Sequence, residues 1–137
     1  MCLAVYIRCS APLATIAWHD DSPSFYLEEI EDLDSVACLR QGARLYYAGS
    51  SEGCGCGFKR GDSDAVREER VRRDYAALSA CVARAFSADG TVDLYARWEG
   101  DEGLPLQSRT MTTAAEIASE GFELIERRLY RLGAKGT

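Results

Sequence analysis

Residues 63–98 read SDAVREERVRRDYAALSACVARAFSADGTVDLYARW and contain two different hydrophobic periods. In the first part, apolar residues recur at spacings of four, three, four and four, which places them on one stripe of a helix. These residues are Val71, Tyr75, Leu78, Val82 and Phe86. After Asp89-Gly90 the pattern changes, because residues 91–98 alternate between apolar and polar as in a strand with one buried face. The stretch therefore predicts a helix over about 63–87, a turn, and a strand.

The two ends and the polar side of this helix carry further signals. Ser63 or Asp62 is expected to cap it by accepting hydrogen bonds from amides of the first turn. Two i,i+4 ion pairs are expected on its exposed side, Glu68–Arg72 and Glu69–Arg73.

Elements of both kinds are expected on either side of this stretch. Residues 2–9 form an apolar run typical of an interior strand. Further strands are predicted at 25–29, 44–49 and 106–111, a weak helix at 32–41, and a short helix near 113–119 opened by a Thr113–Glu116 capping box. Residues 122–132 are ambiguous between helix and strand, and we expect a strand. Together these elements predict one α+β domain over residues 1–137, with a mostly antiparallel sheet and the long helix packed on one face.

The composition narrows the functional class. A chain of 137 residues with 47% hydrophobic residues is long enough to bury a core as one domain. Its net charge of −6 repels phosphate backbones, so a nucleic-acid partner is not expected. No apolar run reaches the roughly 20 residues of a membrane span, and the apolar start lacks the basic region of a secretion signal. We therefore expect a cytoplasmic protein whose six cysteines are free thiols.

The segment GCGCG at residues 53–57 is the main candidate site. In an extended conformation the glycines would share one face and the cysteines the other. The bare face would let a small ligand or a protein partner approach the backbone, and the two cysteine Cα atoms would lie about 6.6 Å apart. A ligand-binding site is thus predicted at Gly53, Cys54, Gly55, Cys56 and Gly57. The structural alternative is a tight bend with small buried cysteines.

Several chemistries remain open for this loop. Cys54 and Cys56 are candidate zinc ligands, provided that two more ligands come from the remaining cysteines and histidine: Cys2, Cys9, Cys38, Cys81 and His19. A redox protein or enzyme would use Cys54 and Cys56 as thiolates, acidified by the nearby helix start, with His19 as general base. Successive backbone amides of the loop are also a candidate anion site.

Cys2 is a separate candidate. Following the initiator methionine, it is a candidate N-terminal nucleophile with its own amine as base. The alternative is that Cys2 is simply the first residue of a strand.

Three stretches, MCLAVYI at 1–7, YYAGSSEGCGCGF at 46–58 and LYARWEGDEG at 94–103, carry a resemblance. Together they resemble a family of small uncharacterised bacterial proteins with an MCLA-type start and a GCGCGF loop. The resemblance covers most of the chain and implies a cytosolic, single-domain α+β protein, with no particular chemistry.

We therefore predict a small binding module that uses the Gly-Cys-Gly-Cys-Gly loop. The alternatives are a cysteine-dependent redox protein or enzyme and a zinc-binding module. The tyrosine-rich strand also permits a homodimer.

Overall fold

The computed structural model describes residues 2–31, 44–61, 64–101 and 104–133. These residues form six strands and two helices, with a 3-10 turn at Gly55–Phe58. In chain order they are β1 (Leu3–Cys9), β2 (Tyr26–Ile30), β3 (Arg44–Gly49), α1 (Ala65–Asp89), β4 (Val92–Trp98), β5 (Ser108–Thr112), α2 (Ala114–Ile117) and β6 (Arg128–Leu132). The weak helix predicted at 32–41 lies outside the described residues. No helix in the described ranges is long and apolar enough to cross a bilayer.

The strands form one sheet in the order β2-β3-β1-β4-β6-β5. All neighbours pair antiparallel except β5 and β6, which are parallel. β1 lies between β3 and β4 and all seven of its residues are buried, which confirms the predicted interior strand. The predicted α+β class, with a mostly antiparallel sheet, one long helix and a short second helix, is also confirmed.

Helix α1 lies close to its predicted bounds. Its N-cap is Asp64 rather than Ser63 or Asp62, because the Asp64 side chain accepts a 2.8 Å hydrogen bond from the Arg67 amide. Gly90 ends the helix in the left-handed region, at φ 77°.

The apolar stripe of α1 was predicted correctly, whereas only one of its two expected ion pairs, Glu69–Arg73, is formed. The first four stripe residues are at most 1% exposed and Phe86 packs at the edge of the same core. Glu69 pairs with both Arg72 and Arg73, whereas Glu68 pairs with Arg60 at 3.4 Å. The expected Glu68–Arg72 pair is therefore wrong, because Glu68 turns toward the segment that precedes the helix.

The alternation in β4 was interpreted as one buried and one exposed face, and this is wrong. Residues 92–97 are all buried. The strand lies inside the sheet, and the face away from the main core carries a second apolar cluster. That cluster contains Ala4, Tyr6, Leu45, Tyr95 and Leu129. The polar residues of β4 are therefore inside the protein rather than in water.

The predicted strand at 122–132 is correct only from residue 128 onward. Arg127 has φ 61°, outside the extended region, and its amide donates to the Ala96 carbonyl at 2.7 Å. The Tyr130 hydroxyl accepts from the Ile125 amide at 2.9 Å, which holds the preceding chain in a loop. The short helix α2 begins at the predicted cap, where the Thr113 hydroxyl accepts from the Glu116 amide at 3.1 Å.

Tyr75 connects α1 to two loops. Its buried hydroxyl donates to the Phe58 carbonyl and accepts from the Leu124 amide at 3.0 Å. The Tyr75 ring also packs edge-on against Phe58, with centroids 5.2 Å apart. These contacts fix the 3-10 turn that follows β3 against the helix, and this turn contains the candidate site.

Candidate functional site

The glycine–cysteine loop is a compact turn, not an extended segment. Gly53 has φ 88°, Cys54 is extended, and the 3-10 turn begins at Gly55. The Ser50 hydroxyl produces this shape, because it donates to the Cys54 carbonyl at 2.6 Å and accepts from the Gly57 amide at 3.1 Å. The expected alternation of a glycine face and a cysteine face is therefore wrong.

The glycines allow close packing against neighbouring protein. A Cβ atom on Gly55 would lie 2.4 Å from the Leu3 carbonyl oxygen, and one on Gly57 would lie 2.2 Å from the Ser50 hydroxyl. Gly53 has a positive φ and lies beside the Trp18 ring. Gly55 and Gly57 are buried, so the space that was expected to admit a ligand is filled by β1 and by Ser50.

This close packing brings three thiols together. The sulfur atoms of Cys2, Cys54 and Cys56 all lie within 4.8 Å of one another. Cys2 immediately precedes β1, while Cys54 and Cys56 flank the glycine that touches the Leu3 backbone. All three thiols are reduced and half-buried. We call these three residues the thiol cluster.

Two backbone amides point at sulfur atoms of the thiol cluster. The Leu3 amide donates to Cys56 Sγ at 3.3 Å, and the Cys56 amide donates to Cys54 Sγ at 3.4 Å. Amide donors favour the ionised form of a thiol. At Cys54, however, burial dominates and raises the thiol pKa to about 12, with the neighbouring thiols Cys56 and Cys2 acting in the same direction. The pKa of the Cys54 thiol is therefore raised, whereas the sequence-based expectation was an acidified thiol.

Two tyrosines, Tyr26 and Tyr47, lie near the thiol cluster. Tyr26 and Tyr47 lie side by side with ring centroids 6.0 Å apart, and the Tyr26 hydroxyl donates to the Gly53 carbonyl at 2.6 Å. Burial raises the pKa of both phenols, and proximity to Cys54 contributes to each shift. The phenols therefore stay neutral at ordinary pH and add no charge beside Cys54.

The other predicted candidates lie elsewhere or outside the described residues. His19 is exposed in a turn, where its carbonyl accepts from the Ser22 amide at 3.2 Å, and it does not join the thiol cluster. Cys9 is buried and donates to the Ala11 carbonyl at 3.3 Å. Cys81 lies in the core on α1, and Cys38 is outside the described residues.

Cys2 is thus the residue that the structure adds to the two loop cysteines. From sequence it was a separate candidate nucleophile and one of five candidates to complete a zinc site, and nothing in the sequence placed it beside Cys54 and Cys56. Knowledge that β1 pairs with β3, with Val5 opposite Ala48, would have placed Cys2 beside the loop. An antiparallel partner of β1 necessarily delivers the loop after β3 to the beginning of β1.

Comparisons with protein-family models, with curated proteins and with solved structures gave no match to this chain.

Proposed function

We propose that this protein is a small binding module in which Cys2, Cys54 and Cys56 hold a thiophilic metal ion, with Zn²⁺ as the reference ion. The observation that carries the proposal is the mutual approach of the three sulfurs to within 4.8 Å. A tetrahedral zinc ion bound at about 2.3 Å per sulfur holds its sulfurs about 3.8 Å apart. The thiol cluster therefore needs to contract by about one ångström at most to bind such an ion.

The charge of the bound state supports an ion of this class. Three thiolates and one Zn²⁺ carry a net charge of −1, and the amides of Leu3 and Cys56 already point at two of the sulfurs. Thiolate ligands suit soft ions, and neither a carboxylate nor an imidazole from the described residues joins the cluster. The raised pKa of Cys54 means that binding releases its proton, so metal affinity increases with pH.

The number of ligands favours an exchangeable site over a closed structural one. Within the described residues the protein offers three ligands, whereas structural zinc takes four. Zinc with three protein ligands keeps the fourth position for water or an external ligand. The module would therefore present a bound ion to a small ligand or to another protein.

A redox protein or enzyme using Cys54 and Cys56 is the second candidate, because their sulfurs are close and unoxidised. It has weaker support, since a nucleophilic thiol needs a lowered pKa and that of Cys54 is raised. His19, the expected general base, is also outside the cluster.

The test is metal binding by the reduced, chelator-treated protein, measured by elemental analysis and by competition with a chromophoric chelator. We expect one equivalent of Zn²⁺, and at least a tenfold loss of affinity in Cys2→Ser and in Cys54→Ser. Cys9→Ser is the matched control, because the Cys9 thiol lies outside the cluster and donates to the Ala11 carbonyl, and this variant should bind as the wild type does. Less than about half an equivalent in the wild type would overturn the metal proposal. If the protein binds Cu⁺ more tightly than Zn²⁺, the proposed metal site stands and Cu⁺ replaces Zn²⁺ as its ion.

A further inference from the structure

A cleft separate from the thiol cluster lies between residues 16–25 and the N-terminal half of α1. Its volume is about 680 Å³, which is in the range of small-molecule sites. We infer that this cleft binds a small carboxylic acid with an apolar body. The inference rests on three features: an apolar floor, the exposed guanidinium of Arg70 at the rim, and acidic residues that already have hydrogen-bond or ion-pair partners.

The floor of the cleft is apolar and held in place. Phe25 is 6% exposed and lines the cleft together with Ala77 of α1 and Pro23. Ile16 forms another part of the wall, and its backbone exchanges two hydrogen bonds with Leu27, at 2.9 and 3.0 Å. An apolar group placed here would be removed from water against a preformed surface.

Two arginines and two acidic residues line the cleft, although the chain as a whole carries a charge of −6. Arg70 and Arg73 both line the cleft from one side of α1, and both are exposed. Arg73 pairs with Glu69 at 3.1 Å, whereas Arg70 forms no ion pair with any other described residue. A guanidinium binds a carboxylate through two parallel hydrogen bonds, so Arg70 is the natural anchor for an organic acid.

The acidic residues that line the cleft are already engaged. Asp74 is 3% exposed, and its two oxygens accept from the Ser51 amide at 3.0 Å and from the Ser51 hydroxyl at 2.9 Å. Glu52 pairs with Arg67 at 3.6 Å. Arg70 also interacts electrostatically with Asp74, but it forms no ion pair within 4 Å of another described residue, so its exposed guanidinium can still donate to an external anion.

The test uses 3-phenylpropionate and its neutral counterpart 3-phenylpropionamide, each titrated into the full chain and followed by the amide resonances of the protein. We expect saturable shifts at Phe25 and Ala77, with the acid bound about tenfold more tightly than the amide, as for one charge-assisted contact. Arg70→Gln should abolish this difference. Arg84→Gln is the matched control, because Arg84 is exposed on the same helix away from the cleft, and it should preserve the difference.

Three results would overturn the inference. They are equal affinity of acid and amide in the wild type, an unchanged preference in Arg70→Gln, and the absence of saturable shifts at millimolar acid. Repeating the titration with Cys2→Ser separates this site from the thiol cluster, because that variant should lose metal and keep the preference for the acid.

Discussion

The substitution Gly55→Ala tests the contact that assembles the thiol cluster. The added Cβ atom would lie 2.4 Å from the Leu3 carbonyl oxygen and 3.0 Å from the carbonyl carbon. Both are backbone atoms of β1, where Leu3 lies opposite Trp98 of β4 and pairing with β3 begins at Val5, so the strand resists displacement. The loop must move outward instead, and overpacking of this kind costs about 1–3 kcal/mol in free energy of unfolding. At about 4 °C per kcal/mol for a chain of this size, the melting temperature should fall by about 4–12 °C.

The assay is urea unfolding of Gly55→Ala beside Gly61→Ala. Gly61 is the matched control because no heavy atom of the described residues lies within 4 Å of its added Cβ and its φ is not positive. Gly61→Ala should therefore be neutral or stabilising by up to about 1 kcal/mol. Folded Gly55→Ala should also bind Zn²⁺ more weakly, because the outward movement separates Cys56 from Leu3. If the two variants unfold within about 0.5 kcal/mol of each other, the close approach of loop and strand is refuted.

Two further predictions concern titration. In reduced, metal-free protein at pH 8, alkylation of Cys54 should be at least about a hundredfold slower than that of free cysteine, because burial raises its pKa to about 12 and leaves little thiolate. Residue-resolved mass spectrometry measures this rate, and labelling as fast as free cysteine would contradict the assignment. Burial also raises the pKa of Asp74 from 3.8 to about 6, so the folded state holds this proton more tightly than the unfolded chain does. The stabilisation is complete below about pH 4 and is lost as the pH rises toward 6, so the free energy of unfolding should fall over this range relative to Asp74→Asn. Urea unfolding at a series of pH values checks this, and a constant or widening difference would contradict it.

The spacing of apolar residues predicted α1 and β1 because each of these elements is buried in the same way along its whole length. α1 keeps one stripe against the sheet, and β1 is buried on both faces, so each pattern follows directly from burial. In β4 the same reasoning failed on one face. A second apolar cluster covers its polar residues, and the sequence of β4 alone contains no sign of those neighbours.

The glycine–cysteine loop and residues 122–127, which precede β6, were mispredicted for a different reason. In each case a side chain beyond the mispredicted residues decides the conformation. Ser50 closes the glycine–cysteine loop, and the hydroxyl of Tyr130 in β6 holds Ile125 in a loop. Such side-chain to backbone bonds compete with extended structure and leave no periodic signal. The pair Cys54 and Cys56 was visible from its spacing, but the third thiol required the register of β1 against β3.

The position of β1 has a consequence for how the chain reaches its native state. In the native sheet Leu3 lies opposite Trp98 and Cys9 opposite Val92. The second partner of β1 is therefore β4, which is synthesised long after β1 itself. Until β4 is synthesised, one edge of the apolar strand β1 has no native partner. Nascent chains that expose such strand edges are prone to self-association. The slow step of folding during synthesis should therefore be the pairing of this open edge of β1 with β4, after the long helix has already formed.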